Sequence, residues 1–202
     1  MLFDALPDRV RRGPSIRERE LGKNERLFRQ GDASSAIFEV MSGRLRLLRR
    51  TIDGHLVTLH TARAGDLLGE AALFSDVYHC DALAATPSRV RVYPKPVLLS
   101  ALRADPLLYE AFAARLARQL QAVRARLELR NIRSARERLL QYLRLSAGRD
   151  GRSITLDGQL QDVAADVGLT REAVYRALAT LQAEGVIVRK QASLILNTDR
   201  AV

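Results

Sequence analysis

Residues 160–181 read LQDVAADVGLTREAVYRALATL, and the spacing of their apolar positions predicts two short helices joined by a tight turn. Val163, Ala164 and Val167 fall at helical spacing on one face of the first helix; Val174, Leu178 and Leu181 do so on the second. Gly168 sits between them, where a sharp turn favours a residue without a Cβ. Ala164 is small where two crossing helices must approach closely. Thr170 is placed to cap the second helix by accepting a backbone N–H bond from its first turn. The other face of that helix carries Arg171, Glu172, Tyr175 and Arg176. Arginine bonds bidentately to the O6/N7 edge of guanine, and glutamate accepts from the cytosine amino group. A helix that opens on Arg-Glu, with a second Arg one turn on, therefore suits the major groove of duplex DNA. The same residues also suit a solvated face held by local ion pairs, since Glu172 and Arg176 stand four apart.

Composition narrows the classes. The chain has 202 residues, 47% of them hydrophobic and 28% charged, enough to bury a core in one large domain or two small ones. A net charge of +10 favours an anionic partner, nucleic acid or a lipid surface. One cysteine, Cys80, excludes an intrachain disulfide and fits a reducing cytoplasm. The opening MLFDALPDRVRRGP lacks the apolar run of a secretory signal, and no stretch approaches a membrane span, so no membrane partner is expected. His55, His60 and His79 show no metal-ligand spacing, and neither a nucleophile elbow nor a phosphate loop occurs. An enzyme is not expected.

Outward from the central stretch, the two halves of the chain differ. Residues 1–15 form a short basic lead-in containing Pro7, Gly13 and Pro14. From Ile16 to about Leu99, short apolar runs alternate with Gly, Asp and Pro. Strands are predicted over Ala36–Met41, Leu45–Leu47, His55–Leu59 and Ser88–Val92, with turns at Gly31-Asp32, Ser42-Gly43, Asp53-Gly54 and Gly65-Asp66. Short strands with regular turns point to an antiparallel barrel or roll. From Pro106 the pattern turns helical. Phe112, Leu116, Leu120, Val123 and Leu127 follow at spacings of four, four, three and four, close to a heptad seam. Leu108 and Phe112 suit packing on the roll, and the remaining seam suits a second copy of the helix. Asn131–Ser134 reads as a hinge, with Ser134 capping the next helix and Glu137 three residues on. Ala135–Leu145 reads as a helix with Leu139, Leu140 and Leu143 inward, and Ser153–Leu156 as a strand. After Gly185, strands over Val186–Val188 and Leu194–Leu196 enclose a turn carrying Arg189 and Lys190, which suit phosphate contact. Such a wing makes the domain a winged helix.

The segments LFRQGDA (27–33), IFEV (37–40), SGRLRL (42–47) and GDLLGE (65–70) are similar to the opening of a cyclic-nucleotide-binding β-roll. Joined to the helix-turn-helix, they make the chain resemble the Crp/Fnr family of bacterial transcription regulators over about residues 16–198. The resemblance implies an α+β chain: a lead-in at 1–15, a β-roll sensor at 16–103, a dimerisation helix and hinge at 104–133, and a winged-helix DNA-binding domain at 134–202. It implies a cytoplasmic homodimer with double-stranded DNA and RNA polymerase as partners. Thr170-Arg171-Glu172, with Val174 and Arg176, is similar to the reader helix of the cyclic-AMP receptor branch, implying a palindrome of TGTGA-like half-sites.

In members that bind cyclic AMP, a Gly-Glu pair holds the ribose and a later Arg-Ser pair holds the phosphate. Gly69-Glu70 matches the first pair. Where the second is expected, before Ala84-Ala85-Thr86, this chain has Tyr78-His79-Cys80-Asp81. Without the arginine, and with Asp81 there to repel a phosphate, the pattern argues against cyclic AMP. The adenine-contacting positions fall on Val123 and Arg124, so Gly69, Glu70, His79, Cys80, Val123 and Arg124 form the implied effector pocket. Arg124 or Arg63 would suit a different anionic effector. His79-Cys80 leaves three readings open: a haem ligand, a thiol sensor, or ordinary packing. A single cysteine excludes an iron–sulfur cluster within one chain. The competing reading of the whole chain is a cyclic-nucleotide-binding regulatory module of an enzyme or channel.

Overall fold

The computed structural model describes residues 12–148, 150–155, 160–190 and 193–197. The chain divides into two units, residues 1–118 and 119–202. Of the expected features, the lead-in up to residue 11, Leu156 and the wing-tip residues Gln191 and Ala192 lie outside the described residues.

Among its described residues the first unit is built on eight strands: β1 (Arg17–Leu21), β2 (Arg26–Phe28), β3 (Ala36–Ser42), β4 (Arg44–Arg50), β5 (Leu56–Arg63), β6 (Leu67–Leu68), β7 (Asp81–Ala84) and β8 (Ser88–Pro94). They form two four-stranded sheets, in the orders β1-β8-β3-β6 and β2-β7-β4-β5. Every pairing is antiparallel. The four strands expected from alternation fall on β3, β4, β5 and β8. The strand β1, sequence REREL, was not expected, because only Leu21 of it is buried. It is held instead by opposite charges across the ladder: Glu18 faces Arg91 and Glu20 faces Arg89. Gly43 links β3 to β4 at φ 83°, and a Cβ there would collide with Ser88 Oγ and the Pro87 carbonyl oxygen.

β3 is buried on both faces. Ala36, Phe38 and Val40 join the core between the sheets. Ile37 lies on the outer face with Tyr93, Leu98, Leu102, Leu108 and Phe112. Leu98 and Leu102 belong to α1 (Lys95–Ala104), and Leu108 and Phe112 to α2 (Pro106–Asn131). Leu108 and Phe112 thus pack on the roll as expected, but α1 corrects the reading that helix begins only at Pro106. Pro96 stands in the first turn of α1, where its missing N–H costs no hydrogen bond. Asp105 then separates the helices, and its Oδ1 accepts from the backbone N–H groups of Leu107 (3.0 Å) and Leu108 (3.2 Å). Buried among these apolar residues, the Glu39 carboxylate accepts from Tyr93 Oη at 2.9 Å and Arg91 Nη1 at 3.3 Å.

The second unit contains the end of α2, then α3 (Ala135–Leu145), β9 (Ser153–Thr155), α4 (Leu160–Val167), α5 (Arg171–Ala183), β10 (Ile187–Lys190) and β11 (Ser193–Leu196). The strands form an antiparallel sheet in the order β10-β11-β9. Its core takes Leu139, Leu140 and Leu143 from α3, Val163, Ala164 and Val167 from α4, and Val174, Ala177 and Leu181 from α5. Ser134 Oγ accepts from Glu137 N at 3.3 Å, while the Glu137 carboxylate turns to Arg136, so half of the expected capping box forms. The stretch read as a hinge is spanned by contacts. Arg138 donates to the Ile132 carbonyl at 2.9 and 2.6 Å and to the Gly168 carbonyl at 3.1 Å. Arg126 lies 3.8 Å from Asp166, and Leu129 is buried.

Candidate nucleic-acid interface and the interior of the roll

The helix-turn-helix is fixed by a few local interactions. Gly168 adopts φ 66°, and a Cβ there would sit 3.2 Å from Arg130 Nε. Thr170 is extended, and its Oγ1 accepts from Ala173 N at 3.2 Å. This is the cap read from the sequence. Val174, Ala177 and Leu181 are buried and Leu178 is half-buried, so the opposite side of α5 faces outward. Thr170, Arg171, Glu172, Tyr175 and Arg176 are all exposed there.

The four polar side chains of that face are not paired as a solvated helix would pair them. Among the described residues no ion pair joins Glu172 to Arg176. Instead Arg171 Nη2 donates to Tyr175 Oη at 3.4 Å, and its guanidinium carbon lies 5.4 Å from the Tyr175 ring centroid. Glu172 sits in the first turn, where the helix dipole favours a carboxylate. Arg189 and Lys190 are exposed, but they belong to strand β10, opposite Leu194 and Ser193, rather than to the turn as expected. The strand continues through them because Arg189 and Lys190 pair with Leu194 and Ser193 of β11.

In the roll, Glu70 stands near enough to Cys80 to act on its thiol. Gly69, at φ 81°, opens a short 3-10 turn over Glu70–Ala72. A Cβ on Gly69 would stand 3.2 Å from Tyr78 Cε1 and 3.3 Å from the Ala36 carbonyl oxygen. Tyr78 is 3% exposed. Its ring stacks on Phe28 at 4.0 Å, and Phe38 lies tilted at 6.3 Å. Its hydroxyl donates to the Ala36 carbonyl at 2.7 Å and accepts from Ala36 N at 3.1 Å. An aromatic side chain thus fills the interior beside Gly69. In the sequence, Tyr78 shows only as part of the stretch that stands where the Arg-Ser pair is expected. No signal local to Tyr78 points to its ring partners, because Phe28 and Phe38 come from β2 and β3, strands of different sheets.

His79 is exposed, whereas Cys80 packs against the roll interior. Burial pushes the Cys80 thiol pKa up, and Glu70 and Asp81 push it further against the pull of Arg49. Asp81 Oδ1 accepts from Gln30 N at 2.8 Å, and Arg26 lies 3.7 Å from its other oxygen. The Asp81 carboxylate therefore ties β2 and the turn after it to β7. Val123 and Arg124 are exposed on the part of α2 that belongs to the second unit. An open cleft of about 440 Å³ lies between Phe28, Phe38 and Tyr78 and a rim of Arg17, Glu18 and Asp32. For haem, the fit is poor: His79 points to solvent and Cys80 is a protonated thiol packed among apolar residues.

Comparison with known proteins agrees with both halves. Residues 18–105 match the cyclic nucleotide-binding domain family, and residues 137–201 match the Crp-like helix-turn-helix domain family. A cyclic AMP receptor protein of Thermus thermophilus is 32% identical over 92% of this chain and 87% of its own length. The transcriptional activator protein FnrA of Stutzerimonas stutzeri is 28% identical over 92% of this chain and 76% of its own. The solved structure of FixK2 from Bradyrhizobium japonicum superposes with a TM-score of 0.74 at 22% identity, covering 92% of this chain and 95% of that one, and so shares the fold. No helix among the described residues is long and apolar enough to cross a membrane. With a nucleotide-binding-type roll, a long helix and a Crp-like reader motif in that order, the chain belongs to the Crp/Fnr family of transcription regulators.

Proposed function

We propose that this regulator is a cytoplasmic homodimer that reads an inverted repeat of TGTGA-like half-sites with α5 and acts on transcription by RNA polymerase. The observation that carries the reading is the split face of α5: Val174, Ala177 and Leu181 are buried while Arg171, Glu172, Tyr175 and Arg176 are exposed at its start. In this reading Arg171 and Arg176 bond guanine edges or phosphates, and Glu172 accepts from a cytosine amino group. Arg189 and Lys190, exposed on β10, contact phosphates flanking the groove. The exposed seam of Leu120, Val123 and Leu127 on α2 supports pairing with a second copy, which presents two reader helices to successive major grooves about 34 Å apart.

The roll is read as a sensor domain that does not take cyclic AMP. The Asp81 carboxylate offers no donor to a cyclic phosphate and the Cys80 thiol only a weak one, and Tyr78 fills space beside Gly69. Binding selection from random duplexes, followed by mobility shift of the recovered sequences, tests the proposal. Recovery of a palindrome with TGTGA-like halves, bound equally with and without cyclic AMP, is the expected result. Recovery of no palindrome, or binding that requires cyclic AMP, contradicts it.

A further inference from the structure

An arginine free on a helix surface samples many rotamers, so it meets phosphates and several base edges almost equally well. Arg171 is not free. It is the first residue of α5, and Tyr175 stands one turn on, where side chains four apart meet. The long hydrogen bond from Nη2 to the Tyr175 hydroxyl holds one corner of the guanidinium at 3.4 Å. The guanidinium carbon lies over the Tyr175 ring, 5.4 Å from its centroid, where the ring attracts the cation. Tyr175 is 45% exposed and Arg171 is exposed, so the outer edge of the guanidinium stays available to a base.

We propose that Tyr175 is a positioning residue that holds the Arg171 guanidinium for a single guanine, and so sets the stringency of one base position in each half-site. The proposal rests on the reading of α5 as a base-reading helix. It assigns Tyr175 an action through Arg171 rather than through a base contact of its own. A tyrosine that simply adds a phosphate or thymine-methyl contact would act on a different position, or on every sequence alike.

The test uses the full-length protein and fluorescence anisotropy on the selected palindrome and on duplexes altered symmetrically at each half-site position. Wild type is compared with Arg171→Ala, Tyr175→Phe, Tyr175→Ala and the Arg171→Ala/Tyr175→Ala double variant, with thermal melts confirming that each is folded. Arg171→Ala is expected to flatten the preference at one guanine by roughly tenfold or more. Tyr175→Ala flattens the same position, costs the selected palindrome more than it costs unrelated duplex, and adds nothing in the double variant. Tyr175→Phe, which keeps the ring and loses the hydrogen bond, falls between. The proposal is overturned if Tyr175→Ala weakens all duplexes equally, alters another position, or costs the double variant as much as it costs wild type. Wild type that discriminates no sequence overturns the base-reading helix itself, and the pairing with it. Wild type that discriminates while Tyr175→Ala discriminates equally well overturns the pairing alone.

Discussion

Tyr78 and Cys80 are two residues apart, and the roll buries the first and half-buries the second. The Tyr78 hydroxyl serves the N–H and the carbonyl of Ala36 together. Tyr78→Phe is expected to cost about 1–2 kcal/mol in urea unfolding, because the hydroxyl partner of Ala36 is lost while the ring remains. Tyr78→Ala is expected to cost about 3–5 kcal/mol, since the stack on Phe28 goes as well. Equal losses for the two variants would mean that the ring contributes nothing. Cys80 stays protonated, held so first by burial and then by Glu70 and Asp81. Its alkylation by iodoacetamide should be slow at neutral pH, with a midpoint above the value of about 8.5 typical of free cysteine. Rapid labelling at pH 7 would reinstate a thiol sensor. At the reader helix, Arg176→Ala is expected to cost roughly 1–3 kcal/mol of DNA binding and to relax one base position. An equal loss on every sequence would make Arg176 a phosphate contact.

At the scale of elements, local chemistry was legible and long-range filling was not. The cap at Thr170, the turn at Gly168 and the inward rows of α3, α4 and α5 follow from residues within a turn or two of one another. Thr170→Ala is expected to cost about 1 kcal/mol in thermal unfolding, whereas Thr170→Ser should cost little because the hydroxyl acceptor remains. The strands β1, β2, β6 and β7 escaped reading because they are short, and because β1 is charged throughout its exposed part and held by its neighbour. The helix α1 escaped because its flanking prolines read as breakers, although Pro96 stands where a helix accepts one. The site divided in the same way. Arg171, Glu172, Tyr175 and Arg176 emerge together from helical periodicity. The interior of the roll does not, because Phe28 on β2, Phe38 on β3 and Tyr78 in the stretch before β7 meet only once the two sheets have closed on each other. A motif comparison detects the arginine that is missing but not the ring that takes up the space.

For the whole molecule, the account requires two copies. Leu120, Val123 and Leu127, each about half exposed, lie in one row on the later part of α2. Leu127→Glu is expected to convert a dimer to a monomer in sedimentation velocity and to weaken binding to the palindrome far more than to a single half-site. A wild-type monomer, or a variant that stays dimeric, would remove that seam from the interface. The net charge of +10 predicts that affinity falls steeply and log-linearly with salt, as counterions displaced from phosphates return. The central claim is that paired α5 helices touch base edges in the major groove. Methylation interference at guanine N7 tests it most directly, because N7 lies in that groove and nowhere else. The account predicts loss of binding when guanines are methylated in two symmetric clusters one helical turn apart, with one cluster position becoming indifferent in Arg171→Ala or Arg176→Ala. Binding undisturbed by guanine methylation anywhere in the site would contradict it.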